Sequence, residues 1–187
     1  MLLLQLYLLF GLVLHKVIWE SLRLRSNDKP SEPSSIRLKI VKAVKVGILL
    51  GVTVQIWLPD IFPIASEPFV IRAVGAAVYT IGLAAAVAAR FQLGQNWANI
   101  ETGQVLKNQG VVASGIYAYV RHPIYVGDLL LLLGLELALN SWLVLGVMVL
   151  APMVMFKAIE EERMLVLALP GYDAYCRRSK RFIPFFF

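Results

Sequence analysis

A single cysteine, Cys176, stands in 187 residues, so the sequence supports neither an internal disulfide nor a cysteine-based zinc site. Histidine is almost as scarce. His15 and His122 have no His-x-x-x-His spacing and no cysteine partner, and they make a poor metal set. Charge is thin as well: Asp, Glu, Lys and Arg make up 16% of the chain, and apolar residues 59%, against about 45–50% in soluble proteins. A soluble fold of this length has no interior large enough for that surface, whereas hydrocarbon accepts it if the backbone pairs within helices. The net charge of +6 is dispersed between apolar runs, which does not match the continuous basic stripe of a nucleic-acid binder. Residues 1–19 are apolar but lack a basic leader and a small-residue cleavage site, so they read as a retained span and not as a signal peptide. The sequence contains no internal repeat and no low-complexity tract.

What is present is a series of apolar runs. Three approach the roughly 20 residues that cross a bilayer: 1–19, 40–58 and 69–89. A Ser/Pro/charge segment at 26–35 and a turn around Pro59, Pro63 and Pro68 separate them. Two shorter runs, 124–139 and 142–156, flank the break at Asn140 and Ser141 and predict a helical hairpin whose shortfall is absorbed by tilt or bilayer thinning. The expected fold is thus an all-α integral membrane protein with about five transmembrane helices. Its N-terminal part, 1–90, holds three helices and a basic loop; its C-terminal part, 91–187, holds a loop, the hairpin and a polar tail. With five spans, 16 of the 18 basic residues fall on one side, and positively charged loops remain cytoplasmic. That puts the N-terminus outside and the C-terminus and its pocket in the cytoplasm.

Chemistry concentrates after residue 90, in Leu93-Gly94-Gln95-Asn96-Trp97, in Gly115-Ile116-Tyr117 through Arg121-His122-Pro123-Ile124-Tyr125-Val126-Gly127, and in the segment from Lys157 to Arg181. Pro123 suits the first turn of a helix, which puts Arg121 and His122 at a helix N-terminus with its free N–H groups. Taken singly, Arg121, Tyr117, Tyr119 and Tyr125 read equally well as an interfacial belt. Glu160, Glu161 and Glu162 tip the balance, because three acids at the C-terminal side of an apolar helix oppose its dipole. Two of the three could do no more than face water. Asp128 lies on the face of Tyr125, either a functional acid or a hydrated structural one. Glu136 is expected to snorkel or cap near the outer end, and His15 to be a boundary residue.

These segments, with Leu165, Gly171-Tyr172-Asp173-Ala174-Tyr175 and Arg181-Phe182-Ile183-Pro184, resemble the isoprenylcysteine carboxyl methyltransferase family over roughly the C-terminal half. The resemblance implies S-adenosylmethionine as methyl donor and a lipophilic acceptor that enters from the bilayer. Carried over by position, the donor contacts are Gln109, Gly110, Val111, Val112, Tyr117, His122, Pro123, Ile124, Tyr125 and Glu161, with Tyr117, Tyr125 and Trp97 as aromatic walls. The acceptor anion falls to Lys157 or to a tail arginine, Arg178. Lysine at that place offers a point charge where the better-known eukaryotic members carry arginine with its bidentate fork. The tail is also one residue tighter than the family's usual Gly-x-x-Tyr spacing. A second class is the membrane sterol and steroid reductases, whose Arg-His-Pro-Asn-Tyr-x-Gly-Glu element would imply NADPH; here Ile124 replaces the asparagine. A non-catalytic scaffold or channel would explain the spans but not the polar cluster.

Overall fold

The computed structural model describes residues 1–25, 36–96 and 109–183. The expected loop at 26–35, Trp97, Lys107 and Pro184 lie outside the described residues. Among the described residues six α-helices follow one another: α1 (Leu2–Arg25), α2 (Ile36–Trp57), α3 (Phe69–Leu93), α4 (Pro123–Ala138), α5 (Val144–Ala168) and α6 (Tyr172–Arg178). Among the described residues no strand forms, and the only extended pairings are two isolated bridges. Each of the five apolar runs is helical. Two helices, over Leu2–Arg23 and Phe69–Asn96, are long and apolar enough by themselves to cross a membrane. Lysines interrupt α2 at 39, 42 and 45, α4 is 16 residues long, about 24 Å at 1.5 Å per residue, and α5 carries its acids in its second half.

The tightest packing joins α3 to α4, and four glycines make it possible. A Cβ on Gly75 would stand 2.2 Å from the Ala138 backbone nitrogen, and one on Gly82 2.3 Å from that of Leu131. From the other side, a Cβ on Gly127 would reach the Ala86 nitrogen at 2.5 Å and one on Gly134 the Tyr79 nitrogen at 2.1 Å. Both pairs are seven residues apart, two turns of one helical face, so the two backbones touch along a common line. Without a hydrophobic drive between helices in lipid, such close approach is what holds them together. Leu8 of α1, Val52 and Ile56 of α2, Tyr79 of α3 and Leu131, Leu135, Ala138 and Leu139 at the α4 end complete the main core.

The turn between α4 and α5 is pinned by polar groups. Asn140 adopts φ +56°, its amide donates to Asp60 and to the Ala65 carbonyl, and its Oδ1 accepts from the Ala65 N–H at 3.0 Å. Arg72 donates to both oxygens of Asp60 at 2.8 and 2.7 Å. Glu136 departs from the expectation of snorkelling: it is buried and accepts a 2.7 Å hydrogen bond from Gln55. It points between helices, where a partner in α2 compensates the cost of burying it. α3 also continues to Leu93, past the end of the apolar run at 69–89.

Gly134→Ala should lower stability by about 1–3 kcal/mol, the usual cost of overpacking. Gly47→Ala on α2, whose added Cβ would meet nothing within 4 Å, should be neutral or mildly stabilising. Thermal melting of the two variants in detergent checks the contrast.

Candidate active site

α4 begins where the sequence predicts, with His122 at the N-cap and Pro123 in the first turn. Before it, Gly115 takes φ +60° to open a short 3-10 turn over Gly115–Ala118. The Ile116 N–H donates to Gln92 Oε1 at 2.8 Å, and Tyr117 is buried with its hydroxyl donating to the Ala89 carbonyl at 3.3 Å. The loop is therefore fastened to the end of α3. On its other side the tail runs beside it: the N–H groups of Arg121 and His122 donate to the carbonyls of Lys180 and Arg181, at 2.8 and 3.1 Å, and the Lys180 N–H donates to Tyr119.

This docking brings three cationic or imidazole side chains to one carboxylate. Glu162 Oε1 accepts from Arg121 Nε at 2.7 Å and lies 3.0 Å from His122 Nε2, while Arg181 Nη2 donates to Oε2 at 2.8 Å. Glu162 is 7% exposed. Burial alone would raise its pKa, but the hydrogen bonds from His122, Arg181 and Arg121 outweigh it and hold the carboxyl far below the usual range. Glu162 is thus the organiser of the site, where the sequence left two of the three glutamates free to face water. Glu160 is the one that is exposed.

Glu161, on the next face of α5, has the opposite electrostatics. Burial raises its pKa, only partly offset by His122, Tyr125 and Lys157. It accepts a 2.8 Å hydrogen bond from the Tyr125 hydroxyl. The Tyr125 ring stacks on His122 at 5.4 Å and 9°, and Lys157 Nζ lies 5.9 Å from the ring centroid. Burial also pushes up the phenols of Tyr117, Tyr172 and Tyr175, the last to about 12, so all three stay hydroxyl donors at neutral pH.

A cavity of about 210 Å³ opens between these elements. It is smaller than the roughly 300–1,000 Å³ of most small-molecule sites. Lys157, Glu161 and Leu165, spaced by four on α5, and Leu169 at its C-cap line one side of it. Gln109, Gly110, Val111, Val112, Tyr117, His122, Ile124 and Tyr125 also line it. Of the donor residues implied by the resemblance, Pro123 alone falls outside the lining; it is buried behind it in the first turn of α4. Arg178 is exposed at the end of α6 and does not reach the cavity, because α6 turns its buried face, Tyr172 and Tyr175, inward instead. Trp19 of α1 and Lys45 of α2 also line the cavity. Nothing in the sequence pointed to them, since only tertiary packing brings those helices to the loop. Among the described residues no group of three His, Cys, Asp or Glu side chains is placed to hold a metal.

The phospholipid methyltransferase family matches residues 70–168, the stretch that carries α3, the loop, α4 and all of α5. The chain belongs to that family. Among similar proteins, the cobalt-zinc-cadmium resistance protein CzcN of Cupriavidus metallidurans is 41% identical over 80 residues, 42% of this chain and 37% of that protein. The protein-S-isoprenylcysteine O-methyltransferase of Schizosaccharomyces pombe is 41% identical over 54 residues, 29% of this chain and 23% of that one. The structure of a eukaryotic intramembrane Ras methyltransferase, isoprenylcysteine carboxyl methyltransferase, superposes with a TM-score of 0.55 at 27% identity, over 62% of this chain and 42% of that one. The matched stretches thus span between about a quarter and two fifths of these relatives. The resemblance read from the motifs holds at the level of fold, and with the apolar helices it makes this member of the phospholipid methyltransferase family an integral membrane protein.

Glu162 makes a specific demand on pH. Its native carboxyl binds protons more weakly than the unfolded one, so its stabilisation is complete above the ordinary carboxyl pKa of about 4.3 and is lost as pH falls below it. Glu162→Gln should flatten that acid limb and, by leaving the half-buried Arg121 and Arg181 without a counter-charge, cost about 3 kcal/mol at neutral pH. Melting temperatures measured from pH 3 to 8 for both proteins test this.

Proposed function

We propose that this protein transfers the methyl group of S-adenosylmethionine to the carboxylate of a lipophilic acceptor, such as a prenylated cysteine, that arrives from the bilayer. The observation that carries the reading is the convergence of Glu161, Tyr125, His122 and Lys157 on one cavity in a member of this family. The donor set suits the cofactor: a buried acid for its ammonium or hydroxyls, aromatic faces for its sulfonium, worth about 0.5–2 kcal/mol, and Val111, Leu165 and Leu169 for its apolar parts. When bound, the sulfonium supplies an already activated methyl group. The reading extends to five spans, with the N-terminus outside and the cavity cytoplasmic.

The protein's residues then have modest chemical work. An acceptor carboxyl with a pKa of about 3.5 is ionised at neutral pH, so the protein would need no base: with the donor held by Glu161, Tyr125 and His122, the methyl group would pass to a carboxylate oxygen and the sulfur would keep the electron pair of the C–S bond. Lys157 orients the carboxylate. Tyr125, set between the His122 ring and the Lys157 ammonium and tied to Glu161, fixes the wall beside which the methyl passes. Alignment and water exclusion of this kind can lower a barrier by about 7–11 kcal/mol.

Calorimetric titration with S-adenosylmethionine, S-adenosylhomocysteine and NADPH tests the reading. The adenosyl compounds should bind and NADPH should not; NADPH binding alone would overturn it. A cationic donor binds the ionised form of Glu161, whose pKa is raised, so affinity should climb as pH rises through that pKa. Glu161→Gln should remove the pH dependence and weaken binding by about ten- to a hundredfold, the loss of one charged hydrogen bond. Lys157→Ala should lower kcat/KM for the acceptor while donor affinity holds.

A further inference from the structure

The donor reading leaves one wall of the cavity unused. Trp19 and Lys45 come to it from the two N-terminal helices, together with Asp128 of α4. Asp128 Oδ1 lies 3.0 Å from His15 Nε2 on α1, and the His15 ring stacks on the Trp19 indole at 4.3 Å and 20°. Asp128 keeps 41% of its side chain exposed, and among the described residues its second oxygen has no partner. α4 holds one other acid, Glu136, which is buried and paired with Gln55; Asp128 instead faces the cavity one turn inside the helix, where an acid is a candidate for function. His15 accounts for one oxygen only.

We infer that Asp128 recognises a cationic nitrogen on the acceptor, so that the acceptor's head is an α-amino carboxylate: a lipidated amino acid whose free ammonium sits beside the carboxyl that takes the methyl group. This rests on the carboxylate reading above. Two observations carry it. The residues assigned to the donor come from the loop, α4's first turn and α5, whereas Asp128 belongs to the wall shared with α1 and α2, the apolar helices that border a bilayer-borne acceptor. The same cavity holds Lys157 and Lys45 as well as Asp128, so charges of both signs are available to a zwitterionic head. A fatty acid without nitrogen would find in Asp128 only repulsion. An amide nitrogen, as in a prenylated peptide, offers a neutral hydrogen bond where an ammonium offers a charge-assisted one, about twice as strong.

The test uses the full chain in detergent, labelled S-adenosylmethionine and three acceptors that share one farnesyl thioether: S-farnesylcysteine, its N-acetyl derivative, and S-farnesyl-3-mercaptopropionate, which has no nitrogen. Methyl esters are counted by their release as methanol in base. For the unaltered protein, kcat/KM should be about ten- to a hundredfold higher for the free amino acid than for the other two, and in Asp128→Asn the ratio should collapse towards one. Equal use of all three acceptors by the unaltered protein overturns the inference and leaves the carboxylate reading standing, whether or not the variant folds. Loss of donor affinity in Asp128→Asn also overturns it, by assigning Asp128 to the donor. If no acceptor yields a base-labile methyl group, the carboxylate reading falls and the inference with it.

Discussion

The carboxylate of Glu162 is the point on which the site depends. It is buried, and it gathers Arg121 and His122 from the start of α4 and Arg181 from the tail. Arg121 in turn donates to the carbonyls of Cys176 and Ser179, which ties α6 to the same knot. Take the carboxylate away and two guanidinium groups are left in a poorly hydrated place, a situation that costs far more than the ion pairs themselves contribute. The pairing therefore sets geometry: it fixes where the loop, α5 and the tail meet, and the cavity is the space left between them.

Two adjacent glutamates thereby acquire different properties from one helix. A step of one residue along α5 is a rotation of about 100°, enough to direct Glu162 into the cationic knot and Glu161 into the cavity. One carboxyl is held ionised by its partners, and the other is pushed towards the protonated form by burial. Shifted carboxyls of this kind concentrate at functional sites, which is why Glu161 is the acid proposed for a ligand while Glu162 holds the architecture. Lys157, one turn before Glu161, shares the cavity face, so the cation proposed for the acceptor and the acid proposed for the donor stand on a single rigid element.

The membrane part serves the site by rigidity. The glycine seam between α3 and α4 brings their backbones into contact over two turns, and these helices carry both ends of the loop: Gln92 and Asn96 at one side, His122 and Tyr125 at the other. α1 and α2 are more loosely attached, through the His15 pair with Asp128, the Tyr79 hydroxyl on the Leu8 carbonyl and the Gln5 and Gln55 hydrogen bonds. They contribute Trp19 and Lys45 to the cavity, so the wall nearest the lipid-facing helices is built differently from the one that the family motifs supply.

Much of this was legible in the residues alone. Apolar runs fixed the helices because hydrocarbon leaves the backbone no other partner, Pro123 marked the start of α4, and the His-Pro-Ile-Tyr and glutamate segments marked the site's chemistry. What the sequence left open is what depends on rotation and distance. The resemblance singled out Glu161 and left Glu162 without a role, because that role rests on which face of α5 meets Arg121 and Arg181. It assigned Arg178 where α6 turns outward, and it read Glu136 as snorkelling where Gln55 of another helix receives it. Trp19, Lys45 and the His15–Asp128 pair had no local signal, since residues more than eighty positions apart become neighbours only when α1 and α2 pack. Periodicity determines which residues share a helix face; only tertiary structure decides what that face meets.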